Sequence, residues 1–147
     1  MAGELSTVGA QYALDFVTGR QIGYTVSGTA AGSAGRTTYV ALLTAAPTDA
    51  STLATMTEVT TSGYARQTIT WTAATNASPS VTQNSAAITF GPFTAAMASA
   101  ATHCALVSAS SGTTGDFLMW WTLDFSKQAA INESIQFAIS ALSMSLT

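Results

Sequence analysis

His103 and Cys104 stand side by side, and they are the chain's one imidazole and one thiol. A nucleophilic thiol needs a base within hydrogen-bond reach and a third group to orient that base. Neighbours on a β-strand project to opposite faces, so if 102–108 is a strand the two side chains diverge. The expectation is a structural histidine, an inert thiol and no enzyme activity. The carboxylates Glu4, Asp15, Asp49, Glu58, Asp116, Asp124 and Glu133 lie at least eight positions apart. With no HExxH, EF-hand loop or paired-cysteine motif, the sequence offers neither a metal site nor a cofactor site. Gly28, Gly32 and Gly35 lack the spacing of a phosphate-binding loop between strand and helix. Asn76-Ala77-Ser78 has the form of a glycosylation sequon. The start Met1-Ala2-Gly3-Glu4 has neither a basic run nor an apolar core, so it reads as no secretory signal and the sequon as chance.

Charge is the scarcer resource. Only 7% of the 147 residues are charged, against about a quarter in an ordinary domain, and Ser, Thr and Ala supply about half of the chain. A folded monomer of this size exposes on the order of 7,000 Å². So few ions cannot furnish that surface, and hydroxyls or neighbouring subunits must cover it. The net charge of −3 and the scattered Arg20, Arg36, Arg66 and Lys127 exclude a phosphate-binding patch for nucleic acid and a polybasic membrane anchor. No apolar run approaches the ~18 residues of a membrane span. The composition points to a structural, assembly-forming protein made in a cytoplasm.

The length fits a single domain over 1–147: an N-terminal helix at 1–19, a long connection at 20–36 and a β-sandwich at 37–147. Leu5, Val8, Tyr12 and Phe16 recur at helical spacing as one apolar stripe, suited to covering a sheet face or docking on a neighbouring subunit. Ser6 or Thr7 could cap its start and Gly19 its end. Beyond Thr37, β-branched and aromatic segments alternate with turn-like clusters. The expected strands are Thr37–Thr44, Glu58–Val59, Tyr64–Thr72, Ser85–Phe90, Thr102–Ser108, Phe117–Leu123, Ser134–Ser140 and Leu142–Leu146. In 64–72 Thr68 and Thr70 alternate with Ile69 and Trp71, which wets one face without charge. Ile135, Phe137 and Ile139 share a face, as do Leu142, Met144 and Leu146. The step of three between those sets predicts a bend or bulge near Ser140-Ala141. Ser110–Asp116 reads as a hairpin loop. The fold class is mainly β, an antiparallel, jelly-roll-like sandwich with a short N-terminal α-helix.

Phe117-Leu118-Met119-Trp120-Trp121 is the most apolar run. On a regular strand Phe117, Met119, Trp121 and Leu123 face one way and Leu118 and Trp120 the other, so both faces need a cover. Trp120 and Leu118 are therefore candidates for a subunit interface, with Tyr12 and Phe16 from the helix. Arg66, a rare cation, is expected to pair with a carboxylate such as Glu58, or to hold two subunits together.

The segments Tyr39-Val40-Ala41-Leu42-Leu43-Thr44-Ala45-Ala46-Pro47-Thr48-Asp49, Glu58-Val59 and Gly63-Tyr64-Ala65-Arg66-Gln67 occur in a telling order. Ala87-Ile88-Thr89-Phe90, Thr102-His103-Cys104-Ala105-Leu106-Val107 and the closing alternating strands follow. Over 37–147 this pattern resembles small tailed-bacteriophage virion proteins variously labelled tail fibre, capsid fibre or head decoration protein. The 20–36 connection and Met119-Trp120-Trp121 depart from it. The resemblance implies a virion protein with no catalytic residues. Joined to the low charge, it leads to the expectation of a capsid decoration (cement) protein. Such a protein would be a homotrimer whose partners are the major capsid protein and copies of itself. The alternative is a tail or head-fibre module binding a host glycan, with Tyr24 or Trp120 as sugar platform.

Overall fold

The computed structural model describes residues 6–20, 22–26, 29–33 and 35–147, with side chains for 6–20 and 35–147. Its elements are α1 (Thr7–Val17), β1 (Ile22–Val26), β2 (Thr29–Ser33), β3 (Thr38–Leu43), β4 (Gln67–Ile69), β5 (Ser80–Gln83), β6 (Ile88–Phe90), β7 (Ala101–Val107), β8 (Phe117–Lys127), β9 (Ile135–Phe137) and β10 (Ser143–Leu146). The protein is mainly β with one short N-terminal helix, and every strand pair among the described residues is antiparallel. The residues group into two compact units. One is Met1–Thr37, Thr70–Ala86 and Ala138–Thr147; the other is Thr38–Ile69 and Ala87–Phe137.

In the first unit, the Ser6 hydroxyl accepts from the Gly9 amide at 3.1 Å and caps α1. At the other end, the Gly19 amide donates to the Phe16 carbonyl and the Arg20 amide to the Asp15 carbonyl. This double closure needs a left-handed residue, and Gly19 supplies it at φ 76°. The helix packs on β5 and β10. It buries Ala10 and Leu14, whereas Val8 and Phe16 are exposed. The expected packing stripe is thus on the wrong side of the helix; Leu5 lies outside the described residues. The inward face is built from a small residue, one leucine and the closing Thr18, which donates to the Leu14 and Asp15 carbonyls. Residues 20–36, expected as a connection, hold the β1–β2 ribbon, paired from Ile22↔Ser33 to Val26↔Thr29.

β5 pairs with β10. It escaped the sequence pattern because its polarity is inverted. Ser80 and Thr82 are fully buried, and Val81 is only half-buried. The hydroxyls can be inside because each has an acceptor: Ser80 donates to the Thr75 carbonyl at 2.6 Å and Thr82 to the Thr72 carbonyl at 2.7 Å. Asn84, wholly buried, anchors the expected bend. Its amide donates to the Ala86 and Ala138 carbonyls, and its Oδ1 accepts from the Leu142 amide. Ser140, at φ 63°, turns the chain there. The bend comes early enough to leave Ile139 62% exposed, contrary to its expected place beside Ile135 and Phe137.

The second unit is built on a sheet ordered β4-β3-β7-β8, with a separate β6–β9 pair. Ala41, Leu43, Ala105 and Val107 form one core face, closed by Leu53 from the 44–57 connection. Val40, Leu42, Cys104 and Leu106, at the alternate positions, are equally inaccessible. The Ser110–Asp116 loop joins β7 to β8 as expected, with the Ser108 amide donating to the Asp116 carbonyl. Four expected strands shrink, 85–90 to β6 and 134–140 to β9 among them. Glu58 makes only a single bridge, to Leu43, and 64–72 keeps β4 plus a bridge from Trp71 to Asn84. The Thr alternation survives: Thr68 and Thr70 are exposed and Ile69 and Trp71 buried.

Candidate functional site

The densest polar constellation in the second unit is Glu58, Tyr64 and Arg66. Arg66 precedes β4 and is 8% exposed. Its Nε and Nη2 donate to Glu58 Oε1 and Oε2 at 2.8 and 2.7 Å. The remaining reach is used on the far loop: Nη1 donates to the Ala109 carbonyl at 3.0 Å and Nη2 to the Gly112 carbonyl at 2.8 Å. The expected pairing with Glu58 is present, in a buried fork rather than on the surface. Hydrogen bonding to Glu58 pushes the guanidinium pKa above its ordinary value. Tyr64 donates its hydroxyl to Glu58 Oε1 at 2.8 Å and accepts from the Leu42 amide at 2.9 Å. Its ring stacks on Phe90 with centroids 5.9 Å apart. Burial first, then the Glu58 charge, raise its pKa and keep the phenol neutral.

Gly63 makes this geometry possible. It sits at φ 88°, and a Cβ there would come within 2.7 Å of the Pro92 carbonyl oxygen and the Thr94 amide nitrogen. Open clefts flank the cluster. One of about 260 Å³ is lined by Glu58, Tyr64, Arg66, Ser110, Ser111 and Gly112; another of about 470 Å³ runs past Leu53, Met56 and Thr113. The carboxylate already accepts three hydrogen bonds, and the guanidinium donates on both sides. The arrangement therefore serves as a clamp between the 58–66 segment and the 109–112 loop rather than as an acid–base pair.

The His103–Cys104 pair diverges as expected. Cys104 is fully buried, and burial pushes its thiol up to about 12, moderated by a hydrogen bond to the Trp121 backbone. His103 is half-buried, and its Nδ1 lies 2.9 Å from the Thr102 hydroxyl. A thiol with that pKa carries almost no thiolate near neutrality. Among the described residues no three His, Cys, Asp or Glu side chains converge as metal ligands, and no helix is long and apolar enough to cross a membrane.

β8 is the terminal strand of its sheet, and none of its residues is fully buried. Its face assignment differs from a regular strand. Leu106 pairs with Met119 but Val107 with Phe117, so Leu118 is the extra residue of a β-bulge. The bulge flips the side chains before it. Phe117 and Trp120 consequently share one face, 6.0 Å apart, and both pack on the Ala41–Leu43–Leu53–Ala105–Val107 cluster. Trp120 and Leu118 are half-buried, and Phe125 is 78% exposed further along the strand. Trp120, Leu118 and Arg66 belong to the second unit, and Arg66 reaches the Trp120 cluster through Ala109. Tyr12 and Phe16 belong to the first unit. Tyr12 is half-buried, and Phe16 is half-exposed beneath the Arg36 guanidinium, 5.5 Å from its ring centre. The Tyr24 side chain lies outside the described residues.

Residues 17–145 match the family described as Podophage GP4 fiber I protein gp80. The chain belongs to this family. It is a family of fibre-like virion proteins of small tailed phages, as the motif order in 37–147 implied. Helix α1 lies almost wholly ahead of the matched stretch. No curated protein matches the chain.

The Tyr64 and Asn84 networks were missed by sequence reasoning. The glycine–tyrosine–alanine–arginine run did mark the first, but nothing in the sequence states that a tyrosine hydroxyl will bridge Glu58 to a β3 amide.

Proposed function

We propose that this chain is a non-enzymatic structural subunit of a phage virion fibre, working as an assembly of copies of itself. The observation that carries the reading is the family match over 17–145. Two features support it. Four of the eleven charges are spent internally, in the Arg66–Glu58 fork and in the Arg20–Asp15 pair at 3.0 Å, which leaves few ions for the exterior. β8, the terminal strand of its sheet among the described residues, also carries Leu118 and Phe125, the kind of surface that a neighbour covers. Trp120 is occupied in packing against Phe117 and the core cluster, which counts against a sugar platform. Gold-labelled antibody against this chain, imaged on intact particles, tests the reading. Label on projecting fibres is the expected result. Label spread over the capsid lattice would instead favour a decoration role on the major capsid protein, and no label on particles would overturn both.

A further inference from the structure

The two compact units are packed with different chemistry. In the second, the wholly buried side chains include Val40, Leu42, Leu43, Phe90, Phe93 and Leu106. In the first, among the described residues, they are Ser80, Thr82 and Asn84, all polar. Leu14, Trp71, Leu142 and Met144 add apolar burial there, none of it complete. A sealed apolar side chain contributes more to stability than a satisfied polar one, because a buried hydrogen bond only replaces bonds given up to water. The first unit is therefore the less stable of the two.

Three separate stretches of chain make up that unit, and polar ties join them. Asp15 accepts from the Ala74 amide at 3.1 Å and Arg20 donates to the Trp71 carbonyl at 2.9 Å, which joins the N-terminal stretch to 70–86. Asn84 joins 70–86 to 138–147: its Nδ2 donates to the Ala138 carbonyl and its Oδ1 accepts from the Leu142 amide, both at 2.8 Å. The pieces are small. α1 has 11 residues, too few for a helix to persist alone in water. β5 and β10 pair over four residues each, and a lone two-stranded ladder is marginal. Loss of one piece thus removes what holds the others.

The second unit closes on itself. The chain enters and leaves it between 37 and 38, 69 and 70, 86 and 87, and 137 and 138. Thr38 pairs with Ile69 at the end of the β3–β4 ladder, and Ile88 pairs with Phe137 at the end of the β6–β9 ladder. Each pair of passages is thus tied by a ladder that belongs to the second unit. We infer that the first unit opens as one cooperative body while the second stays folded, releasing α1, β5 and β10 together. This conformational step is a property of the subunit wherever the virion carries it.

The test is hydrogen–deuterium exchange of the full, unsubstituted chain, followed by mass spectrometry in urea below the main unfolding transition. Amides of α1, β5 and β10 are expected to share one opening and to exchange at least tenfold faster than those of β3 and β7. Their urea dependence is expected to be shallower, because a partial opening exposes less surface. Exchange of all five elements through one opening, with the steep urea dependence of complete unfolding, overturns the inference. Separate openings for α1, β5 and β10 overturn it too. Asn84→Ala, which cuts the tie between 70–86 and 138–147, supplies a second readout. It is expected to speed exchange in α1, β5 and β10 at least tenfold while β3 and β7 stay within about twofold. Acceleration confined to β5 and β10, or equal acceleration of β3 and β7, counts against a single cooperative body.

Discussion

Arg66 shows how a single side chain can be read correctly in kind and wrongly in weight. Its type and distance from Glu58 suggested a pair of little consequence, yet the guanidinium is 96% shielded and clamps two backbone carbonyls as well. Arg66→Met leaves the Glu58 carboxylate without its counter-ion and two carbonyls without donors. A loss of about 3 kcal/mol is expected in urea unfolding. The double variant Arg66→Met/Glu58→Gln recovers part of it, because the lone buried charge is then gone. Equal losses in the single and double variants would reduce the clamp to ordinary packing. Titration adds a second expectation at this scale. Cys104 and Tyr64 both have folded pKa values raised above their unfolded ones, mainly by burial. Their stabilising contribution is complete below the unfolded values and is lost as pH rises, beginning near pH 9 for the thiol and near pH 10 for the phenol. Cys104→Ala therefore flattens the alkaline decline of stability between about pH 9 and 10, while the decline above it remains. An unchanged profile would mean that the thiol does not contribute.

At the scale of elements, legibility followed the apolar pattern and failed where something else decided the conformation. β3, β7 and β10 were legible because their alternation of apolar and polar residues, or their unbroken apolar run, matches their burial. β5 was not, since its buried atoms are hydroxyls whose acceptors come from the 72–75 segment, beyond the strand's own sequence. α1 was placed correctly but rotated wrongly: the stronger apolar stripe lies outside, and Ala10 and Leu14 suffice within. The candidate site was legible as the resemblance motif and the Glu58–Arg66 pair, while the tyrosine bridge and loop carbonyls depend on chain folding back from 42 and 109–112. In β8 the bulge at Leu118 moved Phe117 to the face of Trp120, which no count of two could foresee. This changes what Trp120→Ala should do. Packed with Phe117 over the core cluster, Trp120 contributes to folding of its own subunit. The variant should lose about 2 kcal/mol in denaturant unfolding, less than a fully buried tryptophan would. A variant of unaltered stability that fails to assemble would place Trp120 purely at an interface.

At the scale of the whole molecule, the scarcity of ions sets how copies and neighbours can hold on to this chain. Four of its eleven charged residues are tied up in the Arg66–Glu58 and Arg20–Asp15 pairs, and Arg36 lies over Phe16. What remains for contacts is mostly hydroxyl, methyl and ring. Attachment through such surface depends on area removed from water, which added salt does not screen and which some salts strengthen. Attachment through surface ions would instead weaken steeply as the screening length falls to about 3 Å at 1 M ionic strength. The expected outcome is that washing particles in ~1 M NaCl leaves this chain on the virion, as followed by gel analysis of pelleted particles. Moderate urea, which solvates apolar and peptide groups alike, should release it while salt does not. Release by salt alone would show that the few free charges, Asp116, Asp124 and Lys127 on and beside β8 among them, carry the attachment, and that the neutral exterior is merely tolerated by solvent.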